Sequence, residues 1–98
     1  MPILKHKNRE GGFYVYIVQA KDGSYYTGST RDVEKRVTSH NKGNGARYLR
    51  FKLPVQLVYV KEYRYYKNAL HAERNLKKLT RFQKEIRIKS YESRSREF

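Results

Sequence analysis

The sequence predicts a small α+β domain (α/β in the broad sense) with elements in the order β-β-α-β-α-α. Two short runs rich in β-branched and aromatic residues flank a turn at residues 21–23, which indicates a hairpin. A third such run covers residues 54–63. Apolar residues at helical spacing follow the hairpin and recur over residues 66–79. A chain of 98 residues has room for one domain with one small core.

Composition divides the chain into three parts. We expect a flexible basic leader over residues 1–11, one domain over residues 12–89 and a disordered charged tail over residues 90–98. The leader lacks the apolar run of a signal peptide, and no stretch has the length of a membrane span, so we expect a cytoplasmic protein. Cysteine is absent, which excludes disulfides, thiolate metal sites and a thiol nucleophile.

The charge balance indicates a polyanionic partner. Lys and Arg number 23 against 9 Asp and Glu, so the formal net charge is +14. DNA is the favoured partner and RNA the alternative, and the ten tyrosines and four phenylalanines offer rings for base stacking. A membrane is not favoured, because no segment combines a basic face with a broad apolar one. Charge that serves only solubility is the remaining interpretation.

The turn of the hairpin decides whether two tyrosines share a site. If residues 21–23 form a three-residue loop with Gly23 in the left-handed conformation, Tyr16 lies opposite Gly28 and on the same face as Tyr26. The absent side chain of Gly28 would then leave open space beside the Tyr16 hydroxyl. A two-residue turn would place Tyr26 on the other face. We favour the longer loop, and two ordinary half-buried strand tyrosines are the alternative.

The helix after the hairpin brings two polar side chains toward the sheet. With 3.6 residues per turn, Arg36 and His40 share a side with the two valines of this helix, which must face the core. A guanidinium there needs a carboxylate of the protein or a phosphate of a ligand. Ser29 and Thr30 are candidate N-caps, and Asp32 is expected in the first turn.

The predicted helix over residues 66–79 carries a carboxylate within its apolar arc. On the helical wheel Glu73 falls between Ala69 and Leu70. A carboxylate there costs several kcal/mol to desolvate unless it is paired or bound to a metal ion. The two interpretations are an ion pair with Arg36 and a metal ligand. Lys77 also lies in the arc, and we expect its long stem to carry the charge outward.

Two basic segments are candidates for phosphate contacts. Residues 44–53 form a loop that is either a solvated connector or a contact to the nucleic-acid backbone. A separate last helix begins at a capping box formed by Thr80 and Gln83, with Phe82 and Ile86 expected to hold it to the core and basic residues facing out. The candidate nucleic-acid-binding residues are Arg47, Arg50, Lys52, Lys78, Arg81 and Lys84.

Together these residues suit phosphodiester cleavage. A lone carboxylate can hold a hard divalent ion, Mg²⁺ or Mn²⁺, with water completing the coordination, which favours a single-metal site. A guanidinium would stabilise charge on the phosphate, and a tyrosine or histidine would move protons. The sequence has no Gly-rich phosphate loop, HExxH motif or Cys/His zinc spacing. The candidate catalytic residues are Tyr16, Tyr26, Arg36, His40 and Glu73, with Glu73 as the metal ligand.

The sequence resembles the GIY-YIG nuclease superfamily, especially its short single-domain bacterial members. The resemblance is carried by YVY at residues 14–16, YTG at residues 26–28, and the arginine and histidine that follow. The resemblance spans residues 13–84. It implies a small three-stranded, largely antiparallel sheet flanked by helices, and Mg²⁺-dependent cleavage of DNA. It also assigns the metal to Glu73 and leaves open whether Tyr16 or Tyr26 activates water.

The chain departs from the superfamily pattern at three places. Tyr14 stands where the family name has glycine, Thr27 where it has isoleucine, and no asparagine follows the glutamate at the usual interval. The single domain implies an endonuclease selective for DNA structure or strand state rather than sequence, or one whose specificity comes from a protein partner. A nucleic-acid-binding module on the same fold, with weak or no cleavage, is the alternative.

Overall fold

The computed structural model describes residues 12–96, and the predicted leader lies outside them. The fold is α+β with the predicted order of elements, and its three strands form an antiparallel sheet in the order β2-β1-β3. Among the described residues, no helix has the length and apolarity needed to cross a membrane. The elements are β1 (Phe13–Gln19), β2 (Tyr25–Thr30), α1 (Val33–Asn41), a 3₁₀ turn (Arg47–Leu49), β3 (Gln56–Tyr63), α2 (Tyr66–Lys78) and α3 (Arg81–Arg96).

The three-residue loop of the hairpin is confirmed. Gly23 has φ of +91°, and the backbone N–H of Ala20 donates to Ser24 O at 2.8 Å, which closes the loop. The register pairs Tyr16 with Gly28 and Val18 with Tyr26, so both tyrosines lie on the same face of the sheet.

The sheet is covered on both faces. α1 and the 3₁₀ turn pack on the face that carries Tyr16, and α2 and α3 pack on the other. The first face contributes Tyr14, Tyr16, Val18, Val33, Leu49, Val55 and Val60 to one buried cluster. The second contributes Val15, Ile17, Val58, Tyr59, Ala69, Leu76 and Ile88 to another.

A β-bulge in β3 changes which of its residues share a face. Simple alternation predicts Val58 and Val60 on one face and Tyr59 on the other. In the structure Ile17 pairs with Tyr59 but Val18 pairs with Leu57, so Val58 is the extra residue. Val58 and Tyr59 therefore join the same cluster, and Val60 joins the opposite one.

The capping box at the start of α3 is confirmed, but the inner face of this helix is not the predicted one. Thr80 N donates to Gln83 Oε1 at 2.9 Å, and Gln83 N donates to Thr80 Oγ1 at 3.2 Å. Phe82 and Ile86 are exposed, and Ile88 is buried instead. Ile86 lies about 160° around the helix from Ile88, so the two cannot both face the core.

The helix also extends past the predicted boundary of the domain. The expected disordered tail begins at residue 90, whereas α3 runs to Arg96. Tyr91 explains the extension, because its ring lies 5.8 Å from that of Tyr59 and packs against both buried clusters. Partial burial of this aromatic ring favours about two more helical turns over a frayed end. Only residues 97–98 of the predicted tail lie outside the described part of the chain.

Candidate active site

The start of α1 sets the orientation of the helix over the sheet. Asp32 is the N-cap, and its carboxylate accepts from Lys35 N at 3.1 Å. The expectation of Ser29 or Thr30 as cap is wrong, because both still belong to β2. The Thr30 hydroxyl instead accepts from Asp32 N at 3.2 Å and so supports the cap.

The last turn of α1 places His40 behind the first tyrosine. Its side chain is 1% exposed, and Nε2 lies 2.9 Å from Oη of Tyr16. Nδ1 accepts a hydrogen bond of 3.1 Å from the backbone N–H of Ala46. A ring nitrogen that accepts carries no proton, so the proton of the neutral ring is on Nε2. His40 therefore donates to the Tyr16 oxygen.

Burial keeps both members of this pair uncharged at neutral pH. Desolvation lowers the pKa of His40, and the nearby positive charge of Arg36 lowers it further. Desolvation raises the pKa of Tyr16 well above its ordinary value, and the charges of Tyr26 and Glu73 act in the same direction while Arg36 opposes them. The pair is thus a neutral hydrogen-bonded unit inside the core.

Two glycines allow this unit to form. A Cβ on Gly28 would lie 2.6 Å from Oη of Tyr16, so the tyrosine ring itself fills the space that we expected to be open. A Cβ on Gly45 would collide with the His40 ring and lie 2.9 Å from its Cα. The importance of Gly45 and Ala46 is missed from the sequence, because a backbone N–H that binds a histidine six residues earlier leaves no side-chain signal.

Tyr26 differs from Tyr16 in its access to solvent. It is half-buried, its ring meets that of His40 edge-on at 5.6 Å, and it stacks on Tyr48 at 6.2 Å. Within residues 12–96 its hydroxyl makes no hydrogen bond to protein. Tyr26 therefore presents a positioned hydroxyl that is free to bind water or a ligand.

Glu73 reaches the edge strand β2 from α2, which packs on the face of the sheet opposite Tyr16, and its charge nevertheless acts on Tyr16. Its side chain is 15% exposed, Ser29 Oγ donates to Oε1 at 2.7 Å, and Lys77 Nζ lies 2.8 Å from Oε2. Burial raises the pKa of Glu73, but the contacts with Lys77 and Ser29 outweigh it and the net pKa lies below the ordinary value. Glu73 is thus a carboxylate at neutral pH.

The ion pair between Glu73 and Arg36 that we considered is absent from the described part of the chain. Lys77, expected to point its charge outward, is the partner instead. Arg36 is exposed rather than turned inward, although its charge still acts on Tyr16 and His40. Its guanidinium is therefore available to a ligand at the edge of this site.

A sequence model of the GIY-YIG catalytic domain matches residues 12–86. The chain belongs to the GIY-YIG family. It is 46% identical over 75 residues to the UPF0213 protein SSP2268 of Staphylococcus saprophyticus, covering 76% of this chain and 90% of the relative. It is 43% identical to the UPF0213 protein YazA of Bacillus subtilis, covering 76% of each. The solution NMR structure of the protein EF2693 from E. faecalis superposes with a TM-score of 0.58 at 38% identity, covering 83% of this chain and 86% of that one.

Membership in the GIY-YIG family implies a nuclease-type hydrolase in general, and such nucleases generally depend on a divalent metal. The donor chemistry of Glu73 fits a hard cation, because its carboxylate is charged and held by Ser29. Residues 12–96 contain no cluster of three or more His, Asp or Glu side chains that would hold a metal ion. Water and substrate oxygens would have to complete the coordination, with Lys77 displaced from Oε2.

The six candidate nucleic-acid-binding residues of this GIY-YIG domain divide between the two faces of the sheet. Arg47 and Arg50 are exposed on the segment that packs beside Tyr26, and Lys52 lies over the Tyr48 ring at 4.0 Å. The other three lie where α2 meets α3, on the opposite face; of these Lys78 and Arg81 are exposed and Lys84 is half-exposed.

The environment of His40 predicts how stability depends on pH. Its pKa is lowered in the folded domain, so below its ordinary value of 6.5 the unfolded chain binds more protons. The free energy of unfolding should therefore be highest above pH 6.5 and fall as the pH is lowered from 7.5 to 5.5. Urea unfolding at these pH values measures the effect. His40→Gln should flatten this decline, and His71→Gln, at an exposed position, is the control for the loss of an imidazole. An equal decline in the His40→Gln variant would contradict the assignment.

Proposed function

We propose that this chain is a metal-dependent endonuclease that hydrolyses phosphodiester bonds of DNA, and that it selects DNA by structure or strand state. The observation that carries the proposal is the free hydroxyl of Tyr26, held beside the neutral Tyr16–His40 pair. The charges of Arg36 and Glu73 both act on Tyr16 of that pair. A purely structural tyrosine in this position would not need an unpartnered hydroxyl.

Tyr26 acts as a proton relay in this proposal: its oxygen takes the proton of the attacking water while its own hydroxyl proton passes to solvent. Its hydroxyl is accessible and unbonded, whereas Tyr16 is 2% exposed and its oxygen already accepts from His40. His40 acts through Tyr26 by holding its ring in one orientation, and Tyr16 fixes the His40 ring through their hydrogen bond. Tyr48 supports the other side of the Tyr26 ring. Access to solvent therefore favours Tyr26 over Tyr16 as the residue that activates water.

Arg36 and Glu73 supply the electrostatic part of the reaction. The exposed guanidinium of Arg36 can form two parallel hydrogen bonds to phosphate oxygens. Glu73 would hold Mg²⁺ or Mn²⁺, and a bound ion at that point supplies charge neutralisation for the phosphate. Lys77, released from Glu73, is then an additional cation near the nucleic-acid backbone.

The net charge of +14 supports a polyanionic substrate. With no second domain between residues 12 and 96, sequence readout has little surface to use, so a protein partner would have to supply it. RNA shares the phosphate chemistry and is the alternative substrate.

The test is cleavage of end-labelled single-stranded, duplex and branched DNA, and of single-stranded RNA, with Mg²⁺, with Mn²⁺ or with EDTA. We expect metal-dependent cutting of at least one DNA form and salt-sensitive binding of all of them. Binding without cutting in any metal would support the non-catalytic module instead. Cutting that persists in EDTA would overturn the metal requirement.

A further inference from the structure

Phe51 is the most exposed aromatic side chain among the described residues, with 93% of its surface open. The backbone on either side of Phe51 is nevertheless hydrogen-bonded. Lys52 N donates to Leu49 O at 2.9 Å, Lys21 N donates to Lys52 O at 2.9 Å, and Leu49 is buried. A single exposed apolar side chain needs no explanation, but this ring is held in water on a turn that both core packing and hydrogen bonds fix in place.

The surroundings of Phe51 are those of a nucleic-acid contact. Arg47 and Arg50 are exposed on the same turn. Tyr48, three residues before Phe51, is 50% exposed and stacks on Tyr26 of the candidate site. Residues three apart in a tight turn have Cα atoms within about 7 Å of each other, so Phe51 lies close to the catalytic face of the sheet.

We propose that Phe51 stacks on an unpaired nucleobase of the strand that enters the candidate site. Arg47 and Arg50 hold the phosphates on either side of that base. This proposal rests on the proposed function in one respect only, namely that the bound strand is the DNA substrate of the candidate site. Stacking requires a free π-face, which an unpaired base offers and a base pair inside a duplex does not. The cationic neighbours favour a nucleic acid over an apolar protein surface as the occupant.

The chain contains a matched control for this ring. Phe82 is also exposed, at 70%, but it lies on α3, against the opposite face of the sheet. Replacing either residue by alanine removes an exposed phenyl ring from a basic surface and leaves both buried clusters unchanged. Only Phe51 is near Tyr48 and Tyr26, so only its loss should affect a base at the candidate site.

The experiment measures binding in EDTA, where no cleavage takes place. Fluorescence anisotropy would follow labelled single-stranded DNA of about 12 nucleotides, intact or with one abasic position placed at each site in turn. We expect Phe51→Ala to weaken binding of the intact strand about tenfold, since one stacked base contributes about that much. Phe51→Trp should restore the affinity, and Phe82→Ala should change it less than twofold.

The abasic strands distinguish stacking from a general loss of affinity. In the unaltered protein one abasic position should weaken binding about as much as Phe51→Ala does, and in the Phe51→Ala variant the same lesion should have no further effect. The proposal would be overturned if Phe51→Ala bound the intact strand with unchanged affinity. It would also be overturned if the abasic position weakened binding to Phe51→Ala as much as it weakens binding to the unaltered protein. Because binding is measured without metal, the stacking proposal can be tested even if the protein does not cleave DNA.

Discussion

Replacing Tyr26 by phenylalanine is expected to lower the rate of DNA cleavage about 10²–10⁴-fold, with DNA affinity and folding stability nearly unchanged. The substitution removes one hydroxyl that makes no hydrogen bond to the described protein, and it keeps the ring that contacts His40 and Tyr48. The folded domain therefore loses no interaction, whereas the attacking water loses the hydroxyl that would relay its proton to solvent. Single-turnover cleavage with saturating enzyme measures the chemical step directly.

The same substitution at Tyr16 should have a different signature. Phenylalanine there leaves Nε2–H of His40 buried without a partner, which should lower the free energy of unfolding by about 1–3 kcal/mol. Tyr59→Phe, at a buried tyrosine on the opposite face, is the control for removal of a phenol from the core. Full cleavage by Tyr26→Phe, with loss of cleavage in a stable Tyr16→Phe variant, would reverse the two roles.

The hairpin was predictable because one residue fixes its register. A three-residue loop needs a left-handed position, glycine occupies it, and the parity of both strands follows. The bulge at Val58 was not predictable, because an extra residue in an apolar run does not disturb the composition of that run. The inner face of α3 was missed for a related reason, since both Ile86 and Ile88 are apolar and only the packing of Tyr91 selects between them.

The residues of the candidate site were predictable to a greater extent than their partners. The helical wheel places His40 inward, and the structure buries it. Arg36 lies at the edge of the same arc, about 60° from Val33, so its long side chain reaches water. Residue spacing alone could have indicated Lys77 as a partner of Glu73, because the two are four apart on one helix.

The contacts that orient the site come from elsewhere in the chain. Ser29 meets Glu73 across 44 positions, and the N–H of Ala46 that sets the His40 tautomer belongs to the backbone of a loop. A periodic pattern carries no information about either. The chemistry of a site can thus be inferred from residue types and faces, whereas the direction of a proton within it requires the tertiary structure.

Glu73→Gln should reduce metal-dependent cleavage about 10³-fold or more, with DNA binding retained. Glutamine keeps the shape of the side chain and an oxygen for the Ser29 hydroxyl, but it removes the carboxylate that would hold the cation. Stability should change little, because the Lys77 ammonium that loses its partner is more than half exposed and can be hydrated. Cleavage across a Mg²⁺ titration, with anisotropy for DNA binding, measures both parts.

Glu85→Gln is the matched control for the loss of a carboxylate. Glu85 forms an ion pair at i,i+4 spacing, with Arg81 at 3.1 Å, as Glu73 does with Lys77, but it lies on α3 beside Tyr25 and makes no contact with Ser29. If both variants cut DNA at the full rate, Glu73 is only a structural partner of Ser29 and Lys77. If Glu73→Gln alone loses cleavage and excess Mg²⁺ does not restore it, the carboxylate contributes to the chemical step itself, because a mere loss of metal affinity would be overcome by mass action.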